Sequence, residues 1–470
     1  MPSPDILDRF AAIVGAGHAL RDPAATEPYV TERRGLWPGR TPLVLRPGSV
    51  AEVSAVLKLA SETGTPIVPQ GGNTGLVGAQ VPDGTGREVV LSMSRLSAIR
   101  EIDVSSGAIT VEAGVTLHAL REAADAAGRL FPLSLASQGS AQIGGNLSSN
   151  AGGTGVLAYG NARELCLGVE VALPTGEVLD DLRKLKKDNT GYDLKNLFVG
   201  AEGTLGVITA AVLRLYPKPK GREVAWVGLQ GPRAALALFA LASDKAGAGL
   251  TAFELMIDEA LAFVLKHVPG SAAPLGGAHP WHVLMEVSSG RSAQDARALV
   301  DEILAEGFAA GLVDDAAPAA SMAQADALWK LRESMSDAQR PEGASIKHDV
   351  SVPVASIPDF IAEAWRAVTA IEPGARLVCF GHMGDGNLHY NVSQPAGGEP
   401  AAFLALYRDM NDAVHEVVRA MGGSISAEHG IGRMKRDELL ATAPPVAIAL
   451  MRKVKAALDP AGIMNPNKVI

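Results

Sequence analysis

The sequence contains few cysteines and no apolar run long enough to cross a bilayer. Cys166 and Cys379 are the only two cysteines, and their wide separation offers neither a disulfide framework nor a thiolate metal site. This pattern is typical of a reducing cytoplasm, which is the compartment we expect. The N-terminal segment MPSPDILDRFAAIVGAG carries acidic residues where a secretory signal would carry basic ones, so any membrane contact is expected to be peripheral.

Basic residues are outnumbered by acidic ones, 42 to 51. The formal net charge is −9, which argues against a nucleic-acid-binding surface but leaves room for a local basic pocket. The 470 residues suffice for about three domains, and 47% hydrophobic with 20% charged residues is an ordinary globular composition. With 51 glycines, the chain has many tight turns or close backbone approaches, and their positions are informative.

Local patterns predict an α+β protein. The segment from Ser49 to Gly64 has an N-cap serine, apolar residues at helical spacing and a stop glycine, so it predicts a helix. The stretches IREID and AITVEAG predict a hairpin, and a second hairpin is predicted around Pro174-Thr175-Gly176. After the sequence KPKGR, which ends at residue 222, strands alternate with helices, and this order predicts a sheet covered by helices.

The sequence HMGDGNLH, residues 382–389, predicts a hairpin that carries two histidines. Asp385-Gly386 favours a two-residue turn, which would place His382 directly opposite His389. Facing residues have Cβ atoms roughly 4.5–5.5 Å apart, close enough for both imidazoles to bind one metal ion. The alternative is an ordinary hairpin with two surface histidines.

Glycine concentrates in three segments. PQGGNTGLVGA, residues 69–79, follows a predicted strand and offers unobstructed backbone N–H groups that suit a pyrophosphate, although it matches neither the dinucleotide fingerprint nor the Walker pattern. The segment SQGSAQIGGNLSSNAGGTGVLAYGNARE is dense in glycine, serine and asparagine, with apolar residues interrupting it, and VGAEGTLGVIT follows further on. The two segments together carry only three charged residues. We expect them to surround a large, flat cofactor ring. Glycine-rich turns and flexible surface loops are the alternatives.

Taken together, the motifs PQGGNTGLVG, SQGSAQIGGNLSSNAGG, GTLGVIT, HMGDGNLH, AEHGIG and LDPAGIMNPNK resemble the FAD-dependent D-2-hydroxyacid dehydrogenases, which have the vanillyl-alcohol oxidase fold. The resemblance extends from about residue 40 to residue 470 and is strongest to the members that oxidise D-2-hydroxyglutarate. It implies a two-part FAD-binding domain at residues 1–217, and a substrate- and metal-binding domain with a helix-covered antiparallel sheet at 218–421. Residues 422–470 would form a C-terminal segment that returns to the flavin.

The same resemblance assigns the cofactor-binding residues. The first glycine segment is expected to hold the FAD pyrophosphate through Gly71, Gly72, Asn73, Thr74 and Gly75. The residues expected to line the rest of the cofactor are Gly144, Gly145, Ser149, Asn150, Gly153, Ile208 and Asn467. No histidine occurs in these glycine segments, so we expect FAD to be bound without a covalent bond.

A third metal ligand is available in SISAEHGIGR, residues 424–433. Two imidazoles and one carboxylate form a familiar catalytic zinc set, and the resemblance assigns His382, His389 and Glu428 to the metal. Adjacent residues of an extended chain point apart, so His429 is expected to approach the substrate as the catalytic base. Zinc is the default ion, although Mn²⁺ or Co²⁺ would accept the same ligands.

The resemblance implies the chemistry. A D-2-hydroxy acid would bind the ion through its C2 hydroxyl and C1 carboxylate, His429 would take the hydroxyl proton, and the C2 hydride would move to the flavin. The expected substrate-binding residues are Arg332, Ser336, Lys347 and Asn391. Two cations exceed what lactate requires, so a second carboxylate, as in D-2-hydroxyglutarate, is expected. The alternative for these residues is ordinary solvated charge.

Other functions stay open at this point. A D-lactate or glycolate dehydrogenase would use the same motifs, and a zinc hydrolase or a non-redox nucleotide-binding protein would use the same histidines. The electron acceptor is expected to be external, with electron-transfer flavoprotein, a quinone and a cytochrome as candidates. The sequence leaves the oligomeric state open, with a homodimer as one expectation.

Overall fold

The computed structural model describes residues 1–470, which divide into two compact units. Unit 1 comprises Met1–Gly152, Gly160–Lys218 and Glu428–Ile470. Unit 2 comprises Gly153–Tyr159 and Pro219–Ala427. None of the helices combines the length and the hydropathy that a membrane crossing requires.

Helices and strands follow one another along both units. The helices are α1 (Pro4–Val14), α2 (Pro23–Val30), α3 (Val50–Thr63), α4 (Leu117–Ala126), α5 (Ile143–Ser148), α6 (Val156–Tyr159), α7 (Ala162–Leu165), α8 (Lys195–Phe198), α9 (Pro232–Ala246), α10 (Asp258–His267), α11 (Ala293–Ala309), α12 (Met322–Ala338), α13 (Ile357–Ile371), α14 (Pro400–Ala405), α15 (Tyr407–Ala420), α16 (Arg436–Thr442) and α17 (Pro445–Leu458). The strands are β1 (Ala19–Leu20), β2 (Val44–Leu45), β3 (Ile67–Gln70), β4 (Val89–Ser92), β5 (Ile99–Asp103), β6 (Ala108–Glu112), β7 (Arg129–Leu130), β8 (Cys166–Ala172), β9 (Val178–Asp181), β10 (Val207–Arg214), β11 (Tyr216–Pro217), β12 (Gly221–Leu229), β13 (Leu250–Ile257), β14 (Trp281–Ser289), β15 (Asp315–Pro318), β16 (Ser345–Ser351), β17 (Arg376–His382) and β18 (Asn387–Ser393).

The helix predicted between Ser49 and Gly64 is confirmed as α3. Ser49 Oγ accepts a hydrogen bond from the backbone N–H of Glu52 at 3.2 Å, so the predicted N-cap is present. Gly64 ends the helix in the left-handed region at φ +63°, where glycine has no steric penalty. The helix buries its apolar face against the sheet of unit 1 through Val53, Val56, Leu57 and Ala60.

Unit 1 contains two main sheets. One has the strand order β1-β2-β4-β3, and the other has the order β5-β6-β10-β8-β9. Both predicted hairpins are confirmed in the second sheet, because β5 pairs with β6 and β8 with β9, antiparallel in each case. These short, partly antiparallel sheets with helices against them are consistent with the predicted α+β class.

The C-terminal stretch of unit 1 is attached to its first sheet. Met464 bridges to Ile67 of β3 in parallel, and Asn465 N–H donates to the Ile67 carbonyl at 2.8 Å. Lys468 lies fully buried with its Nζ 3.2 Å from Glu88 Oε1. Residues 380 positions apart in sequence therefore complete one folded unit.

Unit 2 is built on one seven-stranded antiparallel sheet with the order β15-β12-β14-β13-β17-β18-β16. Helices α9, α11, α13 and α15 contribute to the apolar core on one face, and α10 and α12 to the core on the other. The predicted helix-covered antiparallel sheet is confirmed. Side chains alternate along each strand, so every second residue of β13, β16, β17 and β18 faces the α12 side.

Candidate active site

The hairpin that carries the two histidines has a longer loop than predicted. β17 ends at His382, a 3₁₀ turn follows, and β18 begins at Asn387, which is the residue that pairs with His382. His389 pairs with Phe380. The predicted register, with His382 directly opposite His389, is wrong by two residues because the loop contains four residues rather than two.

Local contacts explain the wider turn. Gly386 adopts φ +88°, and a Cβ built on it would lie 2.3 Å from the Val352 carbonyl oxygen. The Asp385 side chain accepts a hydrogen bond from the Asn387 N–H at 3.0 Å. This bond closes a loop that contains a 3₁₀ turn between the two strands. The Asp-Gly pair marked the turn correctly, but the strand hydrogen bonds stop before it.

A register shift of two residues preserves the face of the strand. His382 and His389 are therefore diagonal neighbours on the α12 side, and their ring centroids lie 5.6 Å apart at an angle of 80°. The ring of His389 also lies 5.2 Å from the ring of Phe380. The expectation that the two imidazoles lie close together on one face is met, although by a different pairing.

Each histidine has a carboxylate on the neighbouring strand. Glu254 of β13 pairs with His382, and its Oε1 lies 2.7 Å from His382 Nδ1. Asp349 of β16 pairs with His389, and its Oδ1 lies 3.9 Å from His389 Nδ1. Since Nδ1 of His382 is engaged by Glu254, metal coordination by this histidine would run through Nε2. Two imidazoles with carboxylates behind them are the donor chemistry that Zn²⁺ uses, so these residues fit a metal ion.

Glu254 is an acid that sequence reasoning missed. Burial favours its neutral form, but the interactions with His382 and Arg332 outweigh burial and lower the pKa of the Glu254 carboxyl to about 2. The signal in the sequence was a single glutamate inside the apolar strand LTAFELMI. Nearby, burial raises the pKa of Asp385 to about 6.

Arg332 is more deeply enclosed than predicted. Its side chain is 7% exposed, its Nε donates to Glu254 Oε2 at 2.9 Å, and its Nη2 lies 2.7 Å from the same oxygen. Its guanidinium also lies 4.9 Å above the ring of Phe380. Part of the five-donor guanidinium is therefore committed to Glu254 rather than to solvent.

The other three residues predicted for the substrate lie together. Lys347 of β16 pairs with Asn391 of β18, on the same face of the sheet as His389. The Lys347 Nζ donates to the Ser336 carbonyl of α12 at 3.4 Å. Lys347 and Asn391 therefore lie on the sheet face that carries the histidine pair, and α12, which carries Arg332 and Ser336, packs against that side.

Glu428 and His429 begin the last stretch of unit 1. They follow Ala427, whose N–H donates to the Asp349 carbonyl at 3.3 Å inside unit 2. Consecutive Cα atoms are about 3.8 Å apart, so the covalent chain alone limits how far Glu428 can lie from β16. Within unit 1, a Cβ built on Gly152 would lie 2.6 Å from Glu428 Oε1.

The segment after His429 is held by another acid that sequence reasoning missed. Glu202, in the third glycine segment, accepts hydrogen bonds from the N–H groups of Ile431 at 2.7 Å and Gly432 at 2.8 Å. Burial raises the pKa of the Glu202 carboxyl to about 7, and these two donors only partly oppose it. An acidic residue inside an otherwise uncharged glycine motif was the available signal.

The glycine segments of unit 1 lie close to one another. A Cβ built on Gly72 would lie 1.7 Å from the Ser140 carbonyl oxygen, so no other residue fits there. A Cβ on Gly71 would lie 3.5 Å from the Gly145 N, and one on Gly144 would lie 2.7 Å from the Ala113 Cβ. The third segment lies beside them, because backbone N–H groups in the loop after α8 donate hydrogen bonds to carbonyl groups of α5.

Four of the other predicted cofactor residues have backbone conformations that L side chains rarely adopt. Positive φ angles occur at Asn73 (+54°), Asn150 (+51°), Gly153 (+113°) and Asn467 (+61°). Thr74 and Gly75 continue the loop after β3, Ser149 caps α5, and Ile208 is buried in β10. Gly153 belongs to the short stretch that groups with unit 2.

Unbonded polar atoms test whether unit 1 fits a cofactor. The side-chain oxygens Gln142 Oε1 and Asn146 Oδ1 are buried around α5 and have no hydrogen-bond partner within the protein. Buried polar atoms without partners are rare and point to a ligand or water. The glycine-lined backbone and these oxygens fit a polar cofactor such as FAD.

Comparison with known proteins identifies the relatives. The model for the FAD binding domain matches residues 41–181, and the model for the C-terminal domain of FAD linked oxidases matches residues 218–469. D-2-hydroxyglutarate dehydrogenase of Xanthomonas citri pv. viticola is 38% identical over 98% of this chain and 96% of its own length. The mitochondrial D-2-hydroxyglutarate dehydrogenase of Bos taurus is 38% identical over 98% of this chain and 83% of its own length.

Solved structures confirm the fold. p-Cresol methylhydroxylase superimposes with a TM-score of 0.78 at 16% identity, covering 99% of this chain and 96% of that one. Alkyldihydroxyacetonephosphate synthase superimposes with a TM-score of 0.75 at 18% identity, covering 100% of this chain and 85% of that one. The expected vanillyl-alcohol oxidase type of fold is therefore confirmed.

Proposed function

We propose, because this chain belongs to the FAD-dependent D-2-hydroxyacid dehydrogenases, that it oxidises D-2-hydroxyglutarate to 2-oxoglutarate with FAD and a divalent metal, most simply Zn²⁺. The observation that carries the proposal is the sheet face of unit 2. There a pair of histidines backed by carboxylates shares one side with an arginine and a lysine.

FAD would be held by backbone groups of the glycine segments in unit 1. Gly71–Gly75 would face its pyrophosphate, and the other residues would be Gly144, Gly145, Ser149, Asn150, Gly153, Ile208 and Asn467. The steric demand for glycine at Gly72 and the unbonded oxygens around α5 support this assignment. When bound, FAD supplies the acceptor for the C2 hydride.

The metal would be held by His382, His389 and Glu428. The engaged Nδ1 of His382 supports this ligand set because it leaves Nε2 as the nitrogen available to an ion. Glu428 follows Ala427, which bonds to the Asp349 carbonyl of β16, and this chain position supports it as the third ligand. When bound, the ion supplies Lewis-acid activation of the substrate hydroxyl.

His429 would take the proton from the C2 hydroxyl. An imidazole suits this task because its ordinary pKa lies close to neutral pH. The hydrogen bonds from Ile431 and Gly432 to Glu202 support the role, since they fix the backbone two residues beyond His429. A fixed base is oriented toward its substrate without loss of further entropy on binding.

Arg332, Ser336, Lys347 and Asn391 would bind the substrate. The two cations suit the distal carboxylate of a dicarboxylate such as D-2-hydroxyglutarate, with the arginine able to form two parallel hydrogen bonds. One observation favours a second candidate. Arg332 is partly committed to Glu254, which leaves fewer of its donors for a distal carboxylate, and a substrate with a single carboxylate at C1, such as D-lactate, would not need them.

Anaerobic bleaching of the flavin absorption tests the proposal directly. The purified protein, reconstituted with FAD and Zn²⁺, is mixed with D- and L-2-hydroxyglutarate, D-lactate and glycolate without an acceptor. We expect D-2-hydroxyglutarate to bleach the flavin fastest and the L-enantiomer to leave it oxidised. A preference for D-lactate would establish the second candidate, and bleaching by none of these acids would contradict both.

The electrons would then leave to an external acceptor. Electron-transfer flavoprotein, a quinone and a cytochrome are the candidates, and each can be offered to the reduced enzyme in turn. We keep the cytoplasm as the proposed compartment, since both cysteines are free and buried. A homodimer is the proposed assembly.

A further inference from the structure

Glu254 occupies an unusual position for a carboxylate. It lies in β13, near the middle of the seven-stranded sheet, and is 1% exposed. Its neighbours along the strand on the same face are Ala252 and Met256, both apolar and buried. A charge at such a position is unfavourable unless partners satisfy it, so its contacts indicate why it is there.

Both oxygens of Glu254 are used, each by a different residue. Oε1 lies 2.7 Å from Nδ1 of His382, and Oε2 accepts from Nε of Arg332 at 2.9 Å. One partner is a proposed metal ligand and the other a proposed substrate-binding cation. These partners stand 128 and 78 residues away in sequence, so the carboxylate joins two distant parts of unit 2.

The contact with His382 fixes the chemistry of that imidazole. When Nδ1 carries the proton and donates it to the carboxylate, Nε2 carries the lone pair that a metal requires. A carboxylate behind a ligating histidine also fixes the orientation of the ring and raises its basicity. The contact with Arg332 restrains the guanidinium, whose remaining N–H groups can then serve a carboxylate of the substrate.

We propose that Glu254 is a positioning residue that presents Nε2 of His382 to the metal and orients Arg332 toward the substrate. This inference rests on the proposed metal-dependent function. Glu254 touches neither substrate nor metal in this scheme, and it acts only through its two partners. The competing explanation is that Glu254 is a structural counter-ion that merely neutralises a buried arginine.

Glu286 provides a matched control for that competing explanation. It lies on the adjacent strand β14 and faces the same side of the sheet, and its Oε2 accepts from Arg222 Nε at 2.7 Å and from Trp329 Nε1 at 2.8 Å. Glu286 is therefore also a largely buried glutamate paired with an arginine, but it bonds to no histidine. A purely structural role predicts the same effect for Glu254→Gln and Glu286→Gln.

The proposal predicts different effects for the two variants. In Glu254→Gln, an amide nitrogen that faced His382 would donate to Nδ1 and force the proton onto Nε2, where it blocks coordination. If the amide were reversed, its N–H groups would point at the guanidinium of Arg332. Neither orientation serves both partners, and changes of this kind typically weaken metal binding by about 10–100-fold.

The experiment measures the Zn²⁺ dissociation constant by competition with a chromophoric chelator in the FAD-loaded wild type, Glu254→Gln and Glu286→Gln. Flavin content and Tm are recorded for each protein. We expect roughly 10–100-fold weaker Zn²⁺ binding in Glu254→Gln only, with full flavin content in all three. Equal weakening in both variants, or unchanged affinity in Glu254→Gln, would overturn the inference.

Two further measurements keep the result decisive. If Glu254→Gln does not accumulate as folded protein, Glu254→Asp keeps the charge but shortens the side chain, and it should weaken Zn²⁺ binding as well. Wild-type affinity in Glu254→Asp would then overturn the inference. The wild type itself tests the proposed function: if it binds no Zn²⁺, the metal-dependent function fails first, whereas tight wild-type binding with an unaffected Glu254→Gln removes only the role of Glu254.

Discussion

Unit 1 and unit 2 form their proposed binding sites from different kinds of group, backbone in unit 1 and side chains in unit 2. Unit 1 relies on backbone: its glycine segments pack so closely that a Cβ at Gly72 would overlap the Ser140 carbonyl. Unit 2 relies on side chains that adjacent strands bring to one sheet face, including His382, His389 and Lys347. Backbone sites should be sensitive to any added atom, while side-chain sites should be sensitive to changes of charge and proton position.

The largest expected effect is at Gly72. Gly72→Ala adds one methyl group at 1.7 Å from a carbonyl oxygen, so the loop must move, and we expect most of the flavin to be lost along with activity. Zn²⁺ binding by unit 2 should persist, because none of its histidines changes. Absorption spectra and metal analysis of the purified variant measure both. Gly139→Ala is the control, since its Cβ would meet no atom within 4 Å. Full flavin content in Gly72→Ala would mean that the unit 1 site does not depend on close backbone packing.

The converse change in unit 2 is His389→Ala. We expect it to remove the bound metal and nearly all turnover while the flavin spectrum is unchanged, because only the side-chain site loses a ligand. Metal content and steady-state rates measure the result. The control is His267→Ala, whose imidazole bonds to Glu342 outside the hairpin. Unchanged metal content in His389→Ala would mean that the hairpin is structural.

His429→Asn should have a smaller effect that leaves both cofactors in place. Asparagine keeps some hydrogen bonding but cannot accept the proton, and loss of a general base typically lowers the rate by roughly 10²–10⁴-fold. Flavin content, metal content and kcat are measured together. If the variant lost its metal and recovered its rate on addition of Zn²⁺, His429 would be a ligand and its assignment as the base would be wrong.

The smallest expected effect concerns substrate choice. Lys347→Ala should lower kcat/KM for D-2-hydroxyglutarate by about ten- to a hundredfold, because it removes a charge-assisted contact of typically ~1.5–3 kcal/mol. D-lactate, which lacks the distal carboxylate, should be affected much less. Lys330→Ala on α12 is the control, since that lysine is exposed. Equal losses for both acids would place Lys347 at C1 instead.

Arg332→Ala is a less selective test of the same idea. The arginine is paired with Glu254 in the interior of unit 2, so its removal leaves a buried carboxylate without its cation, which typically costs about 3–5 kcal/mol of stability. We therefore expect a lower Tm and losses for both acids. A selective loss for D-2-hydroxyglutarate at unchanged Tm would mean that Glu254 does not need this partner.

Much of the architecture follows from local sequence, and the exceptions have physical causes. Ser49 and Gly64 bound α3 because capping depends on neighbouring residues, which a local pattern shows. The register of the histidine hairpin could not be read, because Gly386 is forced by its contact with Val352, 34 residues earlier. Patterns within a short window cannot report such contacts.

The candidate site divides in the same way. Glycine clusters and the histidine spacing are visible in the sequence because each lies within one segment. Glu254 and Glu202 were missed because their partners are distant: Glu254 meets His382 across 128 residues, and Glu202 meets Ile431 across 229. An isolated acid in an apolar strand or a glycine motif shows that a partner exists but does not identify it.

The discontinuity of unit 1 has a consequence for synthesis of the chain on the ribosome. Residues up to Lys218 emerge first, but β3 receives its neighbour Met464 and Glu88 receives Lys468 only after all of unit 2 has been translated. At about 5–20 residues per second, the roughly 210 residues between Lys218 and Glu428 correspond to a delay of roughly 10–40 seconds. During that interval the edge of β3 is unpaired and the buried acid Glu88 lacks its cation. Nascent unit 1 should therefore be protease-sensitive and dependent on chaperones until translation is nearly finished.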